Sequence, residues 1–309
     1  MFSEPRRYQS NADLEAMRDL LRQGRLANNG TYYVHPGDLN WWLFYPPLAY
    51  DFWGSIYLWD DPDQPGKILA WALLSPVGET FDVVLRPELR GTPLAGEMYA
   101  WAIRQVTALA KQAGREHIGV FWISEDDALM RTWLLEHGFA LASRDAHLIC
   151  DLAAPRPATQ LPDGFVLRSS RGLAEVNQRA WAQYNAFDNS AAFEVYVQRF
   201  TRFMQTPAYD PIWDLVAAAP DGQIAAFCIV WPDPLTGIGL FEPVGTHPDF
   251  QRRGLGKALM LEALARLQSA GLRQAIVTTG ADHLPAVQLY ESAGFRRTAQ
   301  LLHYKKKIT

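Results

Sequence analysis

The chain has 309 residues, 49% of them apolar and 20% charged, with a formal net charge of −4. That length can hold two ordinary domains, and the composition is that of a globular chain, neither disordered nor broadly nucleic-acid-binding. No apolar run reaches the roughly 18 residues needed to span a bilayer, and the N-terminus lacks an apolar signal core, so a cytoplasmic location is expected. Cys150 and Cys228 each sit inside an apolar stretch and are read as core thiols. His and Cys spacing gives no metal site.

In chain order, the first half is rich in tryptophan, holding eight of the eleven, including Trp41, Trp42, Trp53 and Trp59. Such aromatics are expected mainly in a core. A strand is predicted at Phe81–Leu85, followed by Pro87 and the pair Arg90-Gly91. A helix with Leu94, Met98, Ala102, Val106 and Leu109 on one face then runs to Gly114. Next come a strand over His117–Ile123 and a helix ending in Leu134-Leu-Glu-His-Gly-Phe139. Asp151–Gly164 carries three prolines and little apolar periodicity, which marks a linker.

The second half repeats this grammar. A strand over Gly239–Thr246 leads to Pro248, then to a turn, then to a helix whose apolar stripe is Leu255, Leu259, Met260, Ala263, Leu264 and Leu267. Gly271 is placed to stop that helix. A strand (Ala275–Thr279) and a helix ending in Leu289-Tyr-Glu-Ser-Ala-Gly-Phe295 follow. The same order at nearly the same spacing is an internal repeat.

The turn reads Gln251-Arg252-Arg253-Gly254-Leu255-Gly256-Lys257. A helix N-terminus has unpaired backbone N–H groups and partial positive charge, and glycines let an anion reach them. Three cations at that end oppose the dipole unless an anion lies there, so the segment suits a phosphate or pyrophosphate better than a merely solvated helix start. A P-loop would need Gly at 251 and Ser or Thr at 258, where Gln251 and Ala258 stand. A dinucleotide fingerprint would need a small residue at 259, where Leu259 stands.

The remaining pattern, Gln/Arg-x-x-Gly-x-Gly/Ala after a strand, resembles the pyrophosphate motif of the GNAT superfamily of N-acetyltransferases. Phe241–Pro248, the turn and the Tyr290–Phe295 segment fall in that family's order. The paired halves resemble the tandem arrangement of the mycothiol synthase-like proteins. The resemblance implies an α/β fold of two tandem GNAT-like domains, each a mixed central sheet flanked by helices. The domains are expected at 1–154 and 164–309, with a linker at 155–163.

It further implies acetyl-CoA as co-substrate, with Val244, Gly245 and Thr246 on the pantetheine arm. The N–H groups of Arg252, Arg253, Gly254, Leu255, Gly256 and Lys257, after Gln251, would hold the pyrophosphate. Tyr290 falls where the family places a tyrosine near the CoA sulfur, and Glu242 is the candidate general base. His283 stands where an asparagine that contacts pantetheine is common; the imidazole either keeps that cofactor contact with altered geometry or joins the proton chemistry. Asp188 borders the region where the acceptor would bind, as an attractant for an amine or as a helix cap. The expected reaction is acetyl transfer to a primary amine of a small molecule or peptide, without metal, nucleic acid or membrane. The rival reading is a non-catalytic acyl-CoA-binding or sensing protein. In the first half, Pro93 and Ala95 fall opposite Gly254 and Gly256, and Leu134 falls opposite Tyr290. A proline supplies no N–H and a leucine no proton, so that half is expected to be degenerate.

Overall fold

The computed structural model describes residues 3–27, 31–75, 79–187 and 191–308. The first half contains β1 (Arg6–Arg7), α1 (Asn11–Ala27), α2 (Pro36–Phe44), β2 (Ile56–Asp60), β3 (Ile68–Leu74), β4 (Phe81–Leu85), α3 (Pro93–Gln112), β5 (His117–Ser124), α4 (Ala128–Glu136) and β6 (Ala140–Asp151). After residues without regular structure come β7 (Val166–Ser169), α5 (Val176–Ala186), α6 (Phe193–Met204), β8 (Asp214–Ala218), β9 (Ile224–Asp233), β10 (Ile238–Thr246), α7 (Leu255–Ser269), β11 (Gln274–Gly280), α8 (Leu284–Ser292) and β12 (Arg296–Lys307).

The chain divides into two compact units. One comprises Met1–Leu39, Ala49–Ala146 and Ala299–Thr309; the other comprises Asn40–Leu48 and His147–Thr298. The segment 40–48, expected with the first half, therefore clusters with the second unit, and 299–309 clusters with the first.

In the first unit β1 to β4 form an antiparallel sheet in sequence order. A parallel bridge joins Thr80 to Gly119 of β5, and β5 pairs antiparallel with β12 from Leu301↔Ser124 to Lys307↔His117. Side chains alternate across a strand. On β3, Ala70, Ala72 and Leu74 accordingly pack in a core with Met98, Ala102 and Val106 of α3. Trp59, Trp71 and Trp101 are buried, as expected for a tryptophan-rich core. Trp41 instead packs edge-on against Phe203 in the second unit, at 5.2 Å.

In the second unit β7, β8, β9 and β10 form an antiparallel meander and β11 runs parallel to β10. Helices cover both faces. Gly239 lies so close to α7 that a Cβ there would stand 2.6 Å from Leu267, while its neighbour Leu240 packs with Phe200 and Phe203 of α6. The predicted stripe of α7 is buried throughout, and Gly271, at φ +81°, follows its end. Both cysteines are buried free thiols.

Beneath the sheet, Arg179 of α5 is fully buried against an equally buried Asp214, Nε to Oδ1 at 2.9 Å. Gln183 accepts from its Nη1 at 3.1 Å, and Tyr209 donates to Asp214 at 3.0 Å. The guanidinium lies over the Phe227 ring at 4.2 Å. Desolvation raises the Asp214 carboxyl, and Arg179 opposes that shift.

Candidate active site

The site is built on the two strands β10 and β11. Their parallel pairing runs from Ile238↔Gln274 to Leu240↔Ile276 and goes no further. On its other side β10 stays paired with β9 up to Thr246↔Ala226, with a bulge between Phe241 and Val244 around a cis Glu242–Pro243 peptide. Past Leu240, then, the β11-facing edge of β10 carries backbone groups outside the ladder. Such an edge can accept an extended amide-containing ligand as an added strand. Val244, Gly245 and Thr246 all lie on it. Gly245 is required there by packing, because a Cβ would stand 2.4 Å from Cζ of Phe227.

At the end of this edge the chain turns through Gln251–Gly254. Gln251 Nε2 donates to Thr246 O at 3.3 Å, and Arg253 Nη2 donates to Asp249 O at 3.1 Å. Two left-handed residues stand within three positions, Arg252 at φ +60° and Gly254 at φ +79°. For arginine that conformation costs on the order of 1 kcal/mol or more, and such strain concentrates at ligand-binding turns. Gly254 is the N-cap of α7, with no side-chain cap, and the first helical bond runs from Ala258 N to Gly254 O. The N–H groups of Leu255, Gly256 and Lys257 thus precede the first intrahelical bond.

A Cβ on Gly254 would meet nothing within 4 Å, so the approach to these amides is open. At Gly256 a Cβ would sit 3.3 Å from both Thr246 Oγ1 and Leu289, which lets α7 pack close to β10 and α8. Donors, open approach and three cations fit a pyrophosphate.

Tyr290 lies on α8, 6% exposed, with its ring 6.2 Å from Phe295, which in turn meets Phe241 of β10 at 5.6 Å. Burial pushes its phenol well above the ordinary value, and the neighbouring Glu242 carboxylate raises it further. It therefore stays protonated as a hydrogen-bond donor, and Glu242 is near enough to act on it. Glu242 is half-buried in the bulge, and its backbone carbonyl accepts from Trp231 Nε1 at 2.7 Å. His283 is exposed at the N-cap of α8, without a side-chain cap bond. Among the described residues no group of three or more His, Cys, Asp or Glu could hold a metal.

Asp188 lies outside the described residues. Beside it in sequence, α5 carries Trp181, 45% exposed and edge-on to Phe193 at 5.0 Å. Neither this aromatic surface nor the Arg179–Asp214 pair under β9 was anticipated from the sequence. The i, i+3 spacing of Trp181 and Tyr184 on α5, with the lone mid-helix Arg179, was the available signal.

The equivalent place in the first unit is furnished differently. Tyr33 donates to Leu85 O at 2.9 Å, at the end of β4. Arg90 is held by the buried Asp127 at 2.5 Å, and Pro93 occupies the first turn of α3. What is left is an apolar cavity of about 350 Å³ lined by Leu85, Tyr99, Leu129, Met130 and Trp133 among others.

Residues 173–295 match the model of the acetyltransferase (GNAT) family. The chain is 29% identical over 270 residues to the mycothiol acetyltransferase of Acidothermus cellulolyticus, covering 78% of this chain and 76% of that protein. It is 34% identical over 155 residues to the mycothiol acetyltransferase of an Arthrobacter species, covering 47% of this chain and 46% of that one. In fold it is similar to a tandem GNAT protein from the clavulanic acid biosynthesis pathway, with a TM-score of 0.69 at 16% identity over 98% of this chain and 97% of the other. A GCN5-related N-acetyltransferase from Sphaerobacter thermophilus matches with a TM-score of 0.66 at 21% identity, over 97% and 94%. Residues 173–295, on the open-edged sheet, therefore match the acetyltransferase (GNAT) family, and the chain along both halves shares the fold of a tandem GNAT protein.

Proposed function

We propose that the second unit transfers an acetyl group from acetyl-CoA to a primary amine, and that the first unit does not bind the co-substrate. The observation that carries this reading is the unpaired edge of β10 leading directly into the open Gly254 turn, with a protonated, buried Tyr290 beside Glu242. The edge suits the amides of a pantetheine arm, and the turn suits the pyrophosphate.

The acceptor amine attacks the thioester carbonyl directly. Glu242, through a water, takes the proton of the incoming ammonium, so that a neutral amine attacks. Backbone N–H groups of the β10 edge polarise the carbonyl. Tyr290 donates a hydrogen bond to the departing sulfur. An ordinary thiol has a pKa near ~8.5, below that of a phenol. Tyr290 therefore stabilises the developing thiolate within that bond, and transfer of its proton is completed as the new amide nitrogen releases one. The relatives' name makes mycothiol-related amines the first acceptors to assay, followed by other small-molecule and peptide amines.

The test is thiol release from acetyl-CoA across such a panel, with Gly254→Pro as control. Proline cannot adopt φ +79°, so release should be abolished. Release that persists in this variant would sink the site assignment. Tight CoA binding with no release from any amine would instead favour a binding protein.

A further inference from the structure

Residues 152–165, between β6 and β7, carry no helix or strand, yet they are tied down along α7. At one end Arg156 Nη2 donates to Gln268 Oε1 at 2.6 Å, and its Nη1 donates to Leu152 O at 2.8 Å. At the other end Phe165 packs edge-on against Phe250, just before the anion turn, at 6.1 Å. Gly254, Lys257, Ala258, Leu261 and Gln268 share one face of α7 by their helical spacing. The segment therefore runs as a strap from the last turn of the helix towards its first.

Between strap and helix is a cavity of about 470 Å³, a size ordinary for a small-molecule site. Its walls include Gln160, Leu161, Arg253, Gly254, Lys257 and Leu261, and none of its lining residues is acidic. Gly254 belongs both to this cavity and to the turn. A ligand whose pyrophosphate lies on the turn and whose one arm follows β10 has its other end beside the strap.

We propose that the strap residues 157–162 form a wall that takes the 3′-phosphoadenosine end of coenzyme A. This rests on the acetyl-CoA reading above. Arg253 and Lys257 face the 3′-phosphate, a monoester dianion that two cations hold by charge-assisted bonds. The flat base lies between Leu161 and Leu261, and the Gln160 amide offers its edge a donor and an acceptor. Affinity thus depends on a part of the coenzyme remote from the thioester, read by the segment that follows β6.

The test is calorimetry on the full chain with CoA and 3′-dephospho-CoA, together with turnover of acetyl-CoA and S-acetylpantetheine. CoA should bind about tenfold or more tightly than dephospho-CoA, and Lys257→Ala should remove most of that difference. Leu161→Asp places a carboxylate beside the base and phosphate. It should weaken CoA about tenfold and lower the kcat/KM preference for acetyl-CoA over S-acetylpantetheine by a similar factor. The proposal is overturned if Leu161→Asp and Gln160→Ala, with unchanged melting temperatures, both leave the CoA Kd within about twofold of wild type. An equal loss for both acyl donors overturns it as well. Failure of the wild type to bind CoA at all removes the acetyl-CoA reading itself, and this proposal with it.

Discussion

Cζ of Phe227 occupies the space where Gly245 would carry a side chain, 2.4 Å from an ideal Cβ. The ring is backed by Arg179 at 4.2 Å, so it cannot swing away without disturbing a fully buried ion pair. The ligand-facing edge of β10 is thereby pressed into place from behind. Gly245→Ala should raise the KM for acetyl-CoA about tenfold or more by displacing that edge. Phe227→Leu, which opens room for the methyl, should restore most of the loss when combined with it. Steady-state kinetics of the two single variants and the double variant check this. Additive losses would show that the contact does not set the edge.

Arg179 itself should be intolerant of change. Removing one partner of a buried pair leaves the other charge uncompensated, at a typical cost of about 3–5 kcal/mol. Arg179→Met should therefore destabilise strongly, whereas Arg179→Met combined with Asp214→Asn should recover a large part. Urea unfolding of the three chains measures this, and equal stability of the single and double variants would contradict it.

Tyr290→Phe removes one oxygen from a buried ring and should leave the fold intact. In the proposed mechanism it should lower kcat by about 10²–10⁴ with little change in acetyl-CoA affinity, the range for loss of a positioned proton donor. Because burial and the Glu242 charge hold this phenol above its ordinary value, the activity of the wild type should not fall through phenol ionisation up to about pH 10. Turnover of Tyr290→Phe at the wild-type rate would remove the residue from the chemistry.

Asp82 on β4 gives the first unit a pH signature. Asp82 is half-buried, and desolvation of its carboxyl among the neighbouring strands raises it from 3.8 to about 7. In the unfolded chain the group ionises first, so between about pH 4 and pH 7 the folded state binds the extra proton. Stability contributed through this group is accordingly greatest at the acid end of that window and falls as pH rises through it. Asp82→Asn should flatten this part of the profile and stabilise the protein above pH 7. Unfolding midpoints at pH 5 and pH 8 for both chains check the sign.

Much of the candidate site was legible because it is written in local rules. The stripe of α7, the glycines of the turn and Gly271 after the helix obey periodicity and capping, and each lies where those rules put it. Pro93, at the first turn of α3, and Leu134, buried on α4, likewise lie where the local pattern put them. The features that escaped depend on residues far apart in sequence. Nothing near Gly245 announces Phe227, and nothing near Arg90 announces Asp127. The proline-rich segment between the halves read only as a linker, because its packing on α7 rests on single contacts such as Arg156 with Gln268 rather than on a periodic pattern.

The placement of residues 299–309 in the first unit and of 40–48 in the second has a consequence for how the protein comes into being. During synthesis the first unit must wait, with the place of its β12 strand beside β5 unfilled, until almost all of the second has been made. For the same reason a cut within 155–163 would not release two halves able to fold alone, since each would leave behind a piece of the other. Each compact unit is thus completed by a segment drawn from the other half of the sequence.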